Sequence, residues 1–206
     1  MLSLDTEKYP GVAFIFNRIT EYITDTLIEE NIIKPTERKL YLYCFGTVIE
    51  TLANLATTLL IGVLLGKLHA ALIFMLIFIP MRSTAGGYHC ETAGGCYLLS
   101  MAVYLIVLLT YSFCSGFLPI VYSAVCLLDT AAVIFLSPVV SPNKPMTEQE
   151  LKRNRMISIM ISALCTVLIF GISSLNSDIA AIISETLTIS VLSMIFGWAK
   201  HKIRAH

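Results

Sequence analysis

The sequence predicts an all-α integral membrane protein of about six transmembrane helices, preceded by an amphipathic helix at the membrane interface. Of its 206 residues, 56% are hydrophobic and only 14% are charged, whereas soluble domains carry about 25% charged residues. Mean hydropathy is +0.79, and apolar runs of membrane-spanning length recur along the chain. The net charge is zero, which gives no electrostatic support for nucleic acid binding. We therefore expect residues 1–206 to form a single membrane-embedded domain.

The N-terminal segment, residues 1–39, is predicted to be cytoplasmic and interfacial. Between residues 10 and 34, charged residues separate apolar side chains that recur at helical spacing: Val12, Ile15, Ile19, Tyr22, Ile23 and Leu27. This pattern predicts an amphipathic helix that lies on the membrane or packs on the rest of the protein. We expect the helix to end at Pro35. No basic region precedes an apolar core here, so a cleaved signal peptide is not expected.

Six apolar segments follow within residues 40–199, the predicted transmembrane bundle. Their approximate bounds are 43–65, 68–81, 96–113, 117–137, 156–175 and 179–199. A transmembrane helix needs about 20 residues, and the second segment is shorter. It is either completed by the glycine-rich stretch that follows it or forms a re-entrant element. Before the fifth segment, Thr147 and Glu150 form a capping-box pattern that predicts the start of a helix.

The positions of the basic residues predict the orientation of the chain. If the N-terminus is cytoplasmic, six spans place every basic residue except Lys67 on the cytoplasmic side, as the positive-inside rule requires. Both termini are then cytoplasmic, including the tail formed by residues 200–206. The same orientation places the polar segment 82–96, between the second and third spans, on the cytoplasmic side.

Residues 82–96 hold the most compact set of reactive side chains in the sequence. The segment reads Arg-Ser-Thr-Ala-Gly-Gly-Tyr-His-Cys-Glu-Thr-Ala-Gly-Gly-Cys. A thiol is a useful nucleophile as the thiolate, and a histidine that titrates near neutral pH can accept its proton. The spacing between His89 and Cys96 would place both on one face of a continuous helix, whereas adjacent residues such as His89 and Cys90 point apart. The pattern therefore favours Cys96 as the nucleophile, with Cys90 as its competitor.

Other interpretations of this segment stay open. His89, Cys90 and Cys96 are potential zinc ligands, but no fourth ligand is obvious. We therefore expect neither a metal nor another cofactor. A simpler alternative is that the histidine anchors an interfacial loop and both thiols are inert. The glycine pairs at 86–87 and 94–95 permit tight turns or close helix packing, and their backbone amides are candidate oxyanion donors.

Three carboxylates, Glu50, Asp129 and Glu185, fall within the predicted spans. A charge at the bilayer centre costs at least about 2.5–3.5 kcal/mol, so each is expected to face the protein interior. The favoured role is a structural hydrogen bond between helices. Glu50 is also a candidate to orient His89 or to pair with Arg82. If the three carboxylates instead line a path, the protein would be a small transporter or channel, which is the alternative to an enzyme.

The arrangement Arg82-x3-Gly86-Gly87-x-His89-x6-Cys96 resembles the active-site motif of the AgrB family. These proteins are membrane-embedded cysteine peptidases of accessory gene regulator quorum sensing in Gram-positive bacteria. The resemblance extends to the chain length, the six-span pattern, the basic cytoplasmic segments and the position of the motif between the second and third spans.

A second stretch, residues 138–145, is similar to a proline- and Asn-Lys-Pro-containing loop of the same family. It reads Pro-Val-Val-Ser-Pro-Asn-Lys-Pro. Family members often carry an acidic residue near the position of Val140, and this chain lacks it. No catalytic role is therefore assigned to this stretch.

The resemblance implies a specific reaction. His89 matches the catalytic histidine, and Cys96 matches the nucleophile of an endopeptidase that cuts an AgrD-type pro-peptide toward its C-terminal end. Cys96 would release the acidic tail and retain the rest of the peptide as a thioester. A thiol or hydroxyl within the peptide would then close a thiolactone or lactone ring, which matures into the autoinducing peptide.

The implied partners are the AgrD-type pro-peptide, membrane lipid and a second copy of the chain in a homodimer, all in a bacterial cell membrane. Arg82 is expected to bind the acidic tail of the pro-peptide, to pair with Glu91 or to act as an interfacial anchor. The basic cluster of Lys152, Arg153 and Arg155 is a candidate to hold the same tail or anionic lipid, or it is simply a topological signal.

Overall fold

The computed structural model describes residues 12–88, 93–140 and 146–204 and confirms the predicted all-α class. The helices found in these ranges are α1 (Val12–Glu29), α2 (Arg38–Leu64), α3 (Leu68–Ala85), α4 (Ala93–Cys114), α5 (Pro119–Leu136), α6 (Glu148–Ile172) and α7 (Ser177–Arg204), with a short 3-10 turn at Pro35–Glu37. Within the described residues, the six helices α2 to α7 are long and apolar enough to cross a membrane. The predicted number of spans is therefore confirmed.

The second and third spans begin or end differently from the sequence prediction. Helix α3 has 18 residues, about 27 Å at 1.5 Å per residue, and it continues through Pro80 to Ala85. The start of the glycine-rich stretch thus completes the second span. Helix α4 begins at Ala93, so Gly94 and Gly95 belong to its first turn and do not form a turn ahead of it.

Helix α1 ends earlier than predicted. Asn31 adopts a left-handed conformation with φ of 58°. Its N–H donates to the Ile28 oxygen at 3.0 Å, and the Ile32 N–H donates to the Leu27 oxygen at 2.9 Å. These two bonds form a Schellman cap. The predicted end at Pro35 is therefore wrong, and this proline instead begins the 3-10 turn.

Helix α1 has one buried face and one exposed apolar stripe. The side chains of Thr20 and Thr24 are buried, whereas Ile15, Ile19 and Tyr22 are exposed. A helix that packs through one face and leaves an apolar stripe open combines the two placements predicted for it. The exposed stripe has the character expected of a helix at a membrane interface.

The chain divides into two compact units. The first unit comprises Met1–Leu60 and Cys90–Ala102. Within it, the hydroxyls of Thr57 and Tyr97 lie 2.8 Å apart. The Phe16 ring packs edge-on against the Tyr97 ring, with the ring centroids 5.8 Å apart.

The second unit comprises Ile61–His89 and Val103–His206. In this unit α7 packs against α3, α5 and α6, and α7 is the most buried of the six spans among the described residues. The core contains large, fully buried side chains, among them Met81, Tyr104, Leu108, Ile169, Leu187 and Met194. Helix α7 is thus the central helix of this unit, and it contacts the end of α3 where the reactive segment begins.

An ion pair within the first unit joins α1 to the start of α2. Arg38 Nε donates to Asp25 Oδ1 at 2.7 Å, and Arg38 Nη2 donates to Asp25 Oδ2 at 3.0 Å. The hydrogen bond from Arg38 lowers the pKa of Asp25 below its usual value of 3.8. Because the folded pKa is below the unfolded one, the pair stabilises the fold above the unfolded pKa. That contribution is lost as the pH falls through the folded pKa.

Asp25→Asn is expected to destabilise the docking of α1 by about 0.2–1 kcal/mol at neutral pH, the usual range for a solvent-exposed pair. The side chains are 42% and 48% exposed, so a larger effect is not expected. Hydrogen exchange of α1 amides in detergent, measured at neutral pH and again well below the usual Asp25 pKa, tests this. The difference between variant and wild type should vanish at the acidic pH, and a difference that persists there would contradict the assignment.

Candidate functional site

The predicted catalytic pair is only partly covered by the described residues. Cys96 lies in the first turn of α4 and is half-buried. The N-terminus of a helix carries a partial positive charge that favours anions. Cys96 therefore occupies a backbone position suited to a thiolate. His89, Cys90 and Glu91 lie outside the described residues, so the His–Cys pairing and the zinc alternative stay predictions.

The chain leaves α3 through two glycines with unusual backbone conformations. The φ values of Gly86 and Gly87 are 77° and 135°, a region that L side chains rarely adopt. Gly86 forms a parallel bridge with Val139, in which the Val139 N–H donates to the Ala85 oxygen at 2.9 Å. A Cβ atom at Gly86 would overlap the Val139 carbonyl oxygen. Glycine is therefore required here by both conformation and packing.

Arg82 braces the turn that these glycines form. Its guanidinium donates one hydrogen bond to the carbonyl oxygen of Tyr88 and another to Ser193 Oγ on α7, at 3.3 Å. These contacts give Arg82 a structural role, whereas the three predicted roles, tail binding, pairing with Glu91 and interfacial anchoring, stay predictions. The side chain ties the end of α3 to the residue just before His89.

Helix α7 provides the surface on which the turn rests. The Tyr88 N–H donates to the Ser193 carbonyl oxygen at 2.8 Å and lies 3.3 Å from Ser193 Oγ. One helical turn later, a Cβ atom at Gly197 would lie 2.6 Å from the Gly87 carbonyl carbon. The Lys200 Nζ lies 4.6 Å from the centroid of the Tyr88 ring, a cation–π distance. The turn is therefore held through backbone and ring contacts along one side of α7.

Sequence reasoning missed Ser193, Gly197 and Val139. The first two are four residues apart and share a helix face, which is the small-xxx-small pattern of close packing in membranes. This pattern in the sequence could have identified the face of α7 against which another segment packs. Val139 belongs to the stretch 138–145 recognised by its prolines, and its bridge to Gly86 brings the start of that stretch against the glycine turn. Residues 141–145 lie outside the described residues.

The remaining predicted site residues lie elsewhere. Glu50 is half-buried in α2, where its backbone oxygen accepts a hydrogen bond from Asn54 Nδ2 at 3.0 Å. A role for its side chain toward His89 stays a prediction. Three basic residues are exposed in the first turns of α6: Lys152, Arg153 and Arg155. The predicted helix start before them is confirmed, because Thr147 and Glu150 form the expected capping box.

The other two carboxylates within the spans make hydrogen bonds between helices, as expected. Thr188 Oγ1 on α7 donates to Asp129 Oδ2 on α5 at 2.7 Å. Thr110 Oγ1 on α4 donates to Glu185 Oε2 on α7 at 2.8 Å. Glu185 and Thr188 are three residues apart, so both bonds form around the same turn of α7. These bonds favour the structural role of the carboxylates over the transport path.

A comparison with known families identifies the chain. Residues 17–197 match the family described as Accessory gene regulator B. The chain belongs to the AgrB family. This family acts in quorum sensing, where it works with an AgrD-type precursor and is linked to the processing of that precursor. The six apolar helices are those of a multi-pass membrane protein.

Two relatives of this AgrB family member cover much of the chain. It is 29% identical over 151 residues to a protein of Lactiplantibacillus plantarum described as AgrB-like, across 73% of this chain and 76% of that protein. It is 27% identical over 160 residues to the protein FsrB of Enterococcus faecalis, across 74% of this chain and 62% of FsrB. The match therefore spans less than two thirds of FsrB. No solved structure matches the chain.

Proposed function

We propose that this AgrB family member is a membrane-embedded cysteine endopeptidase. It cleaves the C-terminal tail of an AgrD-type pro-peptide and promotes cyclisation of the remainder. Family membership over residues 17–197 carries the proposal, because the matched range includes both His89 and Cys96. The position of Cys96 in the first turn of α4 supports it, since the backbone there favours a negative charge.

In the proposed first step, His89 accepts the proton of the Cys96 thiol, and the sulfur attacks the scissile carbonyl carbon. Amides at the start of α4, such as that of Gly94, point out of the helix N-terminus and suit the stabilisation of the oxyanion. The carbon–nitrogen bond then breaks, and His89 gives its proton to the leaving amine of the acidic tail. The N-terminal part of the pro-peptide stays bound to Cys96 as a thioester.

In the second step, a thiol or hydroxyl of the peptide attacks the thioester carbonyl. The new bond closes a thiolactone or lactone ring, the carbon–sulfur bond to Cys96 breaks, and the proton of the attacking group returns to the enzyme thiol. A thioester retains the acyl-transfer potential of the cleaved bond, so ring closure does not start from an amide. Restricted access of water at the membrane edge protects this intermediate from hydrolysis.

The substrate tail is proposed to bind the basic residues at the start of α6. Lys152, Arg153 and Arg155 are exposed, and their positive charges complement an acidic peptide. Arg155 Nη2 also donates to the Ile134 carbonyl oxygen at 3.1 Å, so Lys152 and Arg153 are the stronger candidates. Arg82 is less suited to this task, because its guanidinium already holds Tyr88 and Ser193. Anionic lipid is proposed to compete with the tail for this basic cluster. We also propose that the protein works as a homodimer in the bacterial cell membrane, with both termini cytoplasmic.

Trapping of the acyl-enzyme tests the proposed mechanism. An AgrD-type precursor whose ring-closing cysteine or serine is replaced by alanine cannot complete the second step, so the peptide should accumulate on the enzyme. We expect a mass increase on the peptide that contains Cys96, removable by hydroxylamine. The adduct should form equally in a Cys90→Ala protein. Continued release of the tail with no adduct would contradict the thioester, and an adduct on Cys90 would reassign the nucleophile.

A further inference from the structure

We infer that helix α7 positions the catalytic histidine, with Ser193 and Gly197 as positioning residues. The inference rests on the proposed function, because it concerns the same reaction. Helix α7 itself takes part in no chemical step. It holds Tyr88, the residue that precedes His89 in the chain.

The peptide unit that joins Tyr88 to His89 is held at its carbonyl oxygen. A peptide unit is planar, and it contains the Tyr88 carbonyl together with the nitrogen and Cα of the next residue. Arg82 donates a hydrogen bond to that carbonyl oxygen. The hydrogen bond to this oxygen therefore restrains the plane of the peptide unit between Tyr88 and His89.

Ser193 contacts both the backbone N–H of Tyr88 and the guanidinium of Arg82. The Tyr88 N–H donates to the Ser193 carbonyl oxygen at 2.8 Å. The Ser193 hydroxyl oxygen lies 3.3 Å from the Tyr88 nitrogen and 3.3 Å from Arg82 Nη1. One serine thus contacts both the backbone ahead of His89 and the arginine that orients its peptide plane.

Gly197 allows the turn to approach α7 this closely. A Cβ atom there would lie 2.6 Å from the Gly87 carbonyl carbon, 2.8 Å from the Tyr88 nitrogen and 2.9 Å from the Gly87 oxygen. All three are backbone atoms, which cannot rotate away as the end of a flexible side chain can. A larger residue at 197 must therefore displace the turn from α7 and change the direction of the peptide plane before His89.

Displacement of the turn should slow the chemical step more than it weakens substrate binding. A shift of about 1 Å in a reacting group can cost on the order of 10²-fold in rate. The contacts described above involve no residue that we assign to the substrate tail. We therefore expect a fall in kcat for tail release with little change in KM.

A matched pair of glycine variants tests the inference. Gly197→Ala and Gly171→Ala both replace a helical glycine, so both gain the same helix propensity. A Cβ atom at Gly171 meets nothing within 4 Å. We expect Gly171→Ala to cleave an AgrD-type precursor as the wild type does. Gly197→Ala should lower kcat by roughly 10- to 100-fold, with KM changed less than about twofold.

The reactivity of Cys96 distinguishes a positioning role of α7 from a purely structural one. Alkylation of Cys96 by iodoacetamide, followed by mass spectrometry across a range of pH, reports the thiolate that His89 stabilises. In Gly197→Ala the rise in alkylation should shift to higher pH, as it should in His89→Ala. Ser193→Ala adds no bulk, and its alkylation profile should also shift to higher pH. This variant therefore tests the inference if Gly197→Ala does not fold.

The outcomes separate this inference from the proposed function. If Cys96→Ala still cleaves the precursor, the proposed function fails. If cleavage needs Cys96 but Gly197→Ala and Ser193→Ala behave like Gly171→Ala, the positioning role of α7 alone is overturned. A loss of cleavage without a shift in the alkylation profile would overturn it equally, because His89 would then be correctly placed.

Discussion

Replacing Cys96 with alanine is expected to abolish release of the tail from a co-expressed AgrD-type precursor. Loss of a nucleophile typically costs on the order of 10³-fold or more. The side chain is small and half-buried in the first turn of α4, and alanine has the highest helix propensity. The variant should therefore insert and accumulate as the wild type does. Immunoblotting of a precursor tagged at its C-terminus, normalised to the enzyme in the membrane fraction, measures the effect.

Two other cysteine variants serve as controls for this experiment. Cys44→Ala replaces an exposed thiol on α2, and Cys90→Ala removes the competing thiol. Both variants should retain cleavage. If cleavage survives Cys96→Ala and is lost in Cys90→Ala, the nucleophile is Cys90. If neither change matters, the peptidase mechanism fails and the carboxylates within the spans become the better guide to function.

Gly86→Ala is expected to destabilise the second unit by about 2–6 kcal/mol. The backbone at Gly86, with φ of 77° and ψ of −149°, lies in a region where another residue costs about 1–3 kcal/mol. Its Cβ atom would also overlap the Val139 carbonyl oxygen, and overpacking of this kind adds roughly 1–3 kcal/mol. Unfolding of the purified protein in detergent, followed by circular dichroism, measures the loss.

Gly66→Ala is a control for a substitution at positive φ without steric overlap. Gly66 has a φ of 66°, close to that of Gly86, but a Cβ atom there meets nothing within 4 Å. This variant should lose only about 1–2 kcal/mol, the cost of a left-handed conformation. Should the two variants unfold together, the overlap with the Val139 carbonyl oxygen does not add to the cost of the substitution.

Features with a local cause were predictable from the sequence. The number of spans follows from the apolar runs, and the start of α6 follows from Thr147 and Glu150, which satisfy each other's backbone groups within one turn. The end of α1 was not predicted, because a proline such as Pro35 is a stronger signal for helix termination than an asparagine such as Asn31. In the structure the asparagine adopts the left-handed conformation first, and its hydrogen bonds end the helix before the proline is reached.

The candidate site shows the same division between local and long-range causes. The types and spacing of His89 and Cys96 predict a nucleophile–base pair. The glycines at 86–87 and 94–95 look alike in sequence, yet one pair forms a turn with positive φ and the other lies inside α4. What separates them is contact with Val139, Ser193 and Gly197, which lie far along the chain. No pattern within the segment 82–96 reveals those partners.

The contacts between the glycine turn and α7 also set an order of events during biosynthesis. Arg82 and Tyr88 bind Ser193, which is 111 and 105 positions further along the chain. At translation rates of 5–20 residues per second, α3 leaves the ribosome on the order of 5–20 seconds before α7 does. Until the last helix has joined the bundle, the turn lacks the surface that holds it. If the turn positions His89 as we infer, a nascent or truncated chain would not cleave the precursor, and cleavage would begin only after α7 has been inserted.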